Sequence, residues 1–256
     1  MNNPKFIVLK ESPGRIDLYL KRPPLNILNI EMMKEINLAL EEIIPRTDIK
    51  VVLFRSEEKA FSAGVDVGEH TADKVEEMMG TFSRMFQLLD QIKGVTVAAV
   101  KGAALGGGCE LATFCDLIVA ADKSKFGQPE IAVGVYAPIA VAIFPRLIGR
   151  PRALELLITG DTISGEEAYR IGLVNHIFPF DQFDQMLEDF LAKIVNKSAA
   201  IIALTKQVID QGLYSSVPAA VEIAEEHYLE ELMSTKDAHE GLKAFLEKRP
   251  PNWSNK

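Results

Sequence analysis

The sequence predicts an α/β protein on two observations. From Phe6 to about Phe178, short β-rich apolar runs alternate with segments whose apolar residues recur at helical spacing, and from Asp181 onward only the helical period remains. The chain is also large enough for a substantial core, with 256 residues, 48% hydrophobic and 25% charged. The expected organisation is a body over residues 1–195 followed by a helical C-terminal region over residues 196–256.

Taken in order, Phe6–Lys10 and Ile16–Leu20 flank Ser12-Pro13-Gly14 and predict a hairpin. Met33, Ile36, Leu40 and Ile43 mark a helix over Ile30–Ile44 that Pro45 stops. Val51–Phe54 is a buried strand. Thr71–Lys93 predicts a long amphipathic helix whose Met78, Met79, Phe82, Met85 and Phe86 suit either a core or an adaptable acyl pocket. Strands follow at Val95–Val100 and Leu117–Ala121, helices at Ile139–Leu147, Arg152–Thr159 and Ser164–Ile171, and a last strand at Leu173–Phe178. Ser164 followed by Glu167 forms an N-terminal capping pattern. Four helices are expected after residue 181.

The formal charge of −8 argues against nucleic acid or an anionic membrane as the main partner. No run reaches the length of a membrane span and no secretory leader is evident, so a cytoplasmic setting is expected. Cys109 and Cys115, expected in one helix, suit reduced core thiols. His70, His176, His227 and His239 are scattered, and no metal site is expected.

The stretch that organises the chain is Val97–Glu110. A buried strand breaks at Lys101-Gly102 and reaches Gly106-Gly107-Gly108, and Cys109-Glu110-Leu111 then opens a helix. Three glycines between strand and helix let a ligand approach backbone N–H groups, with Glu110 on the first turn. A tight turn with a surface glutamate is the plainer alternative. The spacing fits neither the dinucleotide G-x-G-x-x-G pattern nor a Walker loop. Glu130 follows Pro129 after the next strand. If the strands are parallel, both carboxylates emerge on one sheet edge, where two acids around one water suit hydration or proton transfer on carbon. Phe61-Ser62-Ala63-Gly64-Val65-Asp66 is a second small-residue turn, whose amides and those of Gly106–Gly108 together suit an oxyanion hole.

Lys59–Asp66, Gly106–Ala112 and Phe126–Glu130 together resemble the enoyl-CoA hydratase/isomerase (crotonase) superfamily. Pro145–Gly149, Leu157–Gly160 and Phe245–Arg249 extend the likeness along nearly the whole chain. The resemblance implies a crotonase-like ββα spiral core with a helical C-terminal region for oligomerisation and active-site closure, in a homotrimer or dimer of trimers. It implies an acyl-CoA substrate and no separate cofactor. The oxyanion-hole amides fall on Ala63 and Gly107, and the catalytic carboxylates on Glu110, as base on water, and Glu130, as proton source for carbon. CoA contacts fall on Ala63, Gly64, Val65 and Asp66, with Phe245 and Lys248 reaching the CoA of a neighbouring subunit. A helix-face aromatic and a solvated charge are the plainer account of that last pair.

The glycine that helps hold the water in straight-chain hydratases is replaced by Pro138, which has no N–H. The segment Gly134-Val135-Tyr136-Ala137-Pro138 resembles hydratases of cyclic dienoyl esters, the cyclohexa-1,5-diene-1-carbonyl-CoA hydratases. A general 2-enoyl-CoA hydratase, an enoyl-CoA isomerase, a decarboxylase or thioester hydrolase with the same pocket, and a non-catalytic binding protein are the alternatives.

Overall fold

The computed structural model describes residues 4–256, and residues 1–3 of the expected body lie outside them. Strands β1 (Ile7–Ser12), β2 (Arg15–Leu20), β3 (Val51–Ser56), β5 (Val95–Val100), β7 (Leu117–Ala121) and β10 (His176–Phe178) form a six-stranded sheet in that order. Only β1 pairs antiparallel, across the Pro13-Gly14 turn, and the other pairings are parallel. A second sheet has the order β4 (Ala60–Ser62), β6 (Ala103–Leu105), β8 (Lys125–Gly127) and β9 (Thr162–Ser164). Each turn of chain therefore places one strand in each sheet and then a helix. Helix α2 (Val75–Leu89) follows β4, α3 (Gly107–Phe114) follows β6 and α4 (Pro138–Ile148) follows β8. The result is a ββα spiral.

Strand alternation sets the layers. Val52, Phe54, Ala98, Val100, Ile118 and Ala120 face a core shared with α1 (Ile30–Ile43), α2 and α3. Val51, Leu53, Val97, Ala99, Val119 and Ala121 face Phe183, Leu187 and Leu191 of α7 (Phe183–Val195). Met78, Phe82 and Met85 are buried in the first of these cores.

Several boundaries differ from expectation for local reasons. The helix expected over residues 71–93 is shortened because Lys74 and Val75 N–H both turn back to Thr71 O, and Gln91 and Ile92 close tighter turns onto Leu88 and Leu89. Leu173 and Val174 spend their N–H groups on Ala168 O, so only His176–Phe178 pairs with β7. Cys115 is extended and caps α3 rather than continuing it. Both cysteines are free and buried, and burial pushes their thiols up.

The C-terminal helices α8 (Ala199–Gly212), α9 (Val217–Glu230) and α10 (Lys236–Leu246) follow α5 (Arg150–Thr159), α6 (Gly165–Arg170) and α7. Few of their residues are buried, whereas Tyr214, Val217, Leu229, Phe245 and Leu246 are exposed. Lys206 ties α8 to the body through Ile92 O (3.1 Å) and Asp116 (2.8 Å). No helix among the described residues is long and apolar enough to cross a membrane.

Asp237 anchors the chain terminus. It is 1% exposed and accepts from Ser198 Oγ (2.5 Å), Ser254 N and Oγ (2.7 Å each) and Asn255 N (2.9 Å). Burial works to raise this carboxyl, but the four donors outweigh it and hold it below the ordinary carboxylate range. Its stabilisation is therefore present above the ordinary value and lost as pH falls through the depressed one. Asp237→Asn is expected to cost about 1–3 kcal/mol at neutral pH, read from the urea midpoint.

Candidate active site

The two small-residue turns meet where the sheets close. Asn26, 0% exposed, fixes the first of them. Its Nδ2 donates to Ser56 Oγ (2.6 Å), Ala60 O (3.1 Å) and Phe61 O (3.1 Å), and its carbonyl accepts Ser62 Oγ (2.7 Å). Beyond it Leu28 N donates to Gly64 O (2.8 Å) and Asp66 N to Leu28 O (2.9 Å), a parallel bridge centred on Val65. In such a bridge the central residue's own N–H and C=O point off the opposite edge.

The second turn runs against the first. Gly106 has φ 51° and ψ −132°, a combination closed to L side chains, and a Cβ there would collide with Glu130 Oε1 and lie 3.6 Å from Gly64 Cα. A Cβ on Gly107 would stand 2.5 Å from Val65 Cγ2, so the Val65 side chain packs against the Gly107 backbone, and a Cβ on Gly64 would lie 3.6 Å from Gly107 N. Gly107 begins α3, where helical amides have no intrahelical acceptor.

This geometry corrects one expectation. The Ala63 N–H donates to Leu25 O at 2.9 Å and is already committed within the chain. Val65, two residues on, turns its N–H off the edge away from Leu28. A shift of two residues thus separates a structural amide from one available to a ligand.

Glu110 lies on the first turn of α3 and is 2% exposed. Its Oε1 accepts from Ile139 N (2.7 Å) and Ala140 N (2.9 Å), at the start of α4 immediately after Pro138. The missing proline N–H is thus followed by two donors on one carboxylate oxygen. Burial pushes Glu110 up to about 7, and the Glu130 charge adds to the rise while the two amides oppose it. Glu130 sits half-buried in the 3-10 turn Pro129–Val133 with Oε1 over Gly106. Burial raises it as well. Turned so that its nitrogen faces acceptors, the buried Gln128 amide donates to Glu130 Oε2 and to Gly106 O, both at 3.2 Å. The two acids, the Gly106–Gly108 turn and the Ala63–Asp66 segment therefore form one cluster.

Phe245 is 82% exposed on α10, which packs on α8 and the turn Leu232–Ser234. Lys248 follows with φ 54°. Within one chain the structure does not bring this pair to the carboxylates. A cleft of about 910 Å³ between α8 and the body is lined by Thr96, Phe114, Ile143, Ile202, Ile209 and Trp253, and its lining includes neither glutamate. Asn26 and Gln128 carry no chemical signature in one dimension; only the Pro-rich turn before Asn26 and the Pro-Glu after Gln128 hint at them.

Residues 12–256 match the family profile described as enoyl-CoA hydratase/isomerase. A probable enoyl-CoA hydratase of Mycobacterium bovis is 35% identical, covering 97% of this chain and 98% of that protein. Cyclohexa-1,5-dienecarbonyl-CoA hydratase of Thauera aromatica is also 35% identical, covering 100% and 98%. Among solved structures, an enoyl-CoA hydratase from Bacillus anthracis superposes with a TM-score of 0.93 at 28% identity, covering 98% of this chain and 100% of that one.

Proposed function

Because the chain belongs to the enoyl-CoA hydratase/isomerase family, we propose that its reaction is hydration of a conjugated acyl-CoA thioester, with cyclohexa-1,5-diene-1-carbonyl-CoA as substrate. The observation that carries hydration is the pair of acids at one turn, Glu110 held by the α4 amides and Glu130 held by Gln128 over Gly106. The thioester oxygen accepts from Val65 N–H and Gly107 N–H, which stabilise the charge it gains as water adds. The water oxygen bonds to the electrophilic carbon, its proton passes to Glu110, and Glu130 gives its proton to the carbon that completes the addition. One water is added and the pair as a whole keeps one proton. No separate cofactor takes part.

Rate is expected to be bell-shaped in pH. The limbs report the pair, which fails when it holds two protons or none. The backbone of residues 63–66 contacts CoA. Phe245 and Lys248 reach the CoA of a neighbouring copy in a homotrimer or dimer of trimers, whose assembly covers the exposed apolar residues of α8–α10.

The two named relatives stand at the same identity, so the cyclic substrate rests on the loop at residues 134–138, where Tyr136 and Pro138 replace a glycine-rich segment. The test is product mass and kcat/KM with crotonyl-CoA and with the cyclic dienoyl ester. A gain of one water on both, with at least about tenfold preference for the cyclic ester, a gap of 1.4 kcal/mol, is expected. Preference for crotonyl-CoA overturns the substrate assignment, and no hydrated product overturns the reaction.

A further inference from the structure

We propose that Arg22 is a positioning residue for the oxyanion hole: its guanidinium ends a line of hydrogen-bonded peptide groups whose other end is Val65 N–H, and its charge strengthens that donor. The inference rests on the reading of Val65 N–H as a donor to the thioester oxygen, and adds what polarises it.

Peptide planarity sets the line. In a trans peptide the C=O of one residue and the N–H of the next point in opposite directions. Arg22 Nη1 donates to Ile27 O at 2.9 Å, and Leu28 N–H, on the far side of that same peptide, donates to Gly64 O at 2.8 Å. Val65 N–H belongs to the Gly64–Val65 peptide and therefore points onward, away from Leu28. Two peptide groups thus stand head to tail between a cation and the place of the substrate oxygen. Each hydrogen bond in such a line strengthens the next, by on the order of 10–30% per bond. The guanidinium carries a permanent positive charge, and a charged donor makes the first bond stronger than a neutral one would.

Both ends of the Arg22 side chain are fixed. Its backbone N–H donates to Asn26 Oδ1 (2.7 Å) and its carbonyl accepts Asn26 N (2.8 Å), so the buried Asn26 that grips Ala60 and Phe61 also sets where this side chain starts. At the other end Nη2 faces Asp66 Oδ2 at 3.4 Å, and the guanidinium carbon lies 5.9 Å from the centre of the Phe6 ring. Asp66 N in turn donates to Leu28 O (2.9 Å), so the ion pair and the bridge close a loop around Val65. The Gly107 amide is supported differently. The carbonyl of its peptide, Gly106 O, accepts Glu110 N (2.9 Å) and the Gln128 amide (3.2 Å), and both of these donors are uncharged. The cation therefore acts on one of the two donors.

The test uses the full chain with butyryl-CoA carrying 13C at the thioester carbonyl, a saturated ester with no double bond to hydrate. Its C=O stretch on the wild-type protein is expected to lie below that of the free ester. Arg22→Met keeps the length of the side chain and removes the charge, at a position 29% exposed. It is expected to lose at least about a third of that shift. In the same variant kcat for hydration falls about tenfold, less than the loss of a whole donor would cost, while KM and the Kd for butyryl-CoA stay within about twofold. Arg22→Lys returns a cation and is expected to recover most of both losses. An unmoved carbonyl stretch in Arg22→Met overturns the proposal while the hydratase reading stands. Weaker binding that accounts for the whole loss of rate, or a loss that Arg22→Lys does not relieve, overturns it too. A stretch that responds to Arg22 in a protein that hydrates no ester ends the hydratase reading and supports the proposal.

Discussion

Glu110→Gln is expected to lower kcat for hydration by about 10²–10⁴-fold, the usual worth of a positioned acid–base group. Glutamine cannot take the proton from water, yet its carbonyl oxygen can still accept the Ile139 and Ala140 amides that hold Oε1 now. The α4 start and the thioester site therefore stay in place, and KM changes little. Stability moves the other way. In the folded protein Glu110 is raised from 4.5 to about 7, so the native state binds the extra proton between these values. Stability accordingly falls as pH rises through that window, by on the order of 3 kcal/mol once the carboxylate is ionised. The variant lacks this loss. Its melting temperature should exceed that of the wild type at pH 8 and approach it near pH 4.5. Equal pH dependence in both proteins would show that Glu110 is not held out of water.

The second large effect is expected at Gly106. Gly106→Ala forces a side chain into φ 51°, ψ −132° and drives its Cβ onto Glu130 Oε1. The backbone strain is worth on the order of 1–3 kcal/mol. Displacing Glu130, the proposed proton source, should cost at least about 10²-fold in kcat on top of that. Gly134→Ala separates the two contributions. Gly134 also has positive φ, 82°, but a Cβ there meets nothing within 4 Å. With ψ 17° it lies in the left-handed region open to L residues, so Gly134→Ala should lose about 1 kcal/mol, less than Gly106→Ala, and retain hydration. If Gly106→Ala hydrates as well as Gly134→Ala, the contact with Glu130 has no catalytic weight.

The alternation of strands and helices was legible because β3, β5 and β7 carry nearly continuous apolar runs and the helices carry their period. The second sheet was not, since three residues are too few for alternation to show, and the resemblance alone pointed to a spiral. The two glutamates stood out by their places after the glycines and after Pro129. Which amide faces the ligand did not. Ala63 and Val65 are equally small-turn residues in one dimension, and only the bridge from Leu28 assigns one N–H inward and the other outward. Asn26 and Gln128 act through partners remote in sequence or through the backbone of another strand. Pro138 read as a lost water ligand, because the two donors behind it become visible only once α4 is seen to begin there.

The hold on Glu110 has an evolutionary consequence. The segment between Glu130 and Pro138, on which the proposed substrate choice rests, is also the tether that fixes where the next helix begins. Inserting or deleting a residue there would slide the amides past the carboxylate. Diversification at this lip is therefore confined to substitutions at constant length, and selectivity should drift through the identity of side chains such as Tyr136.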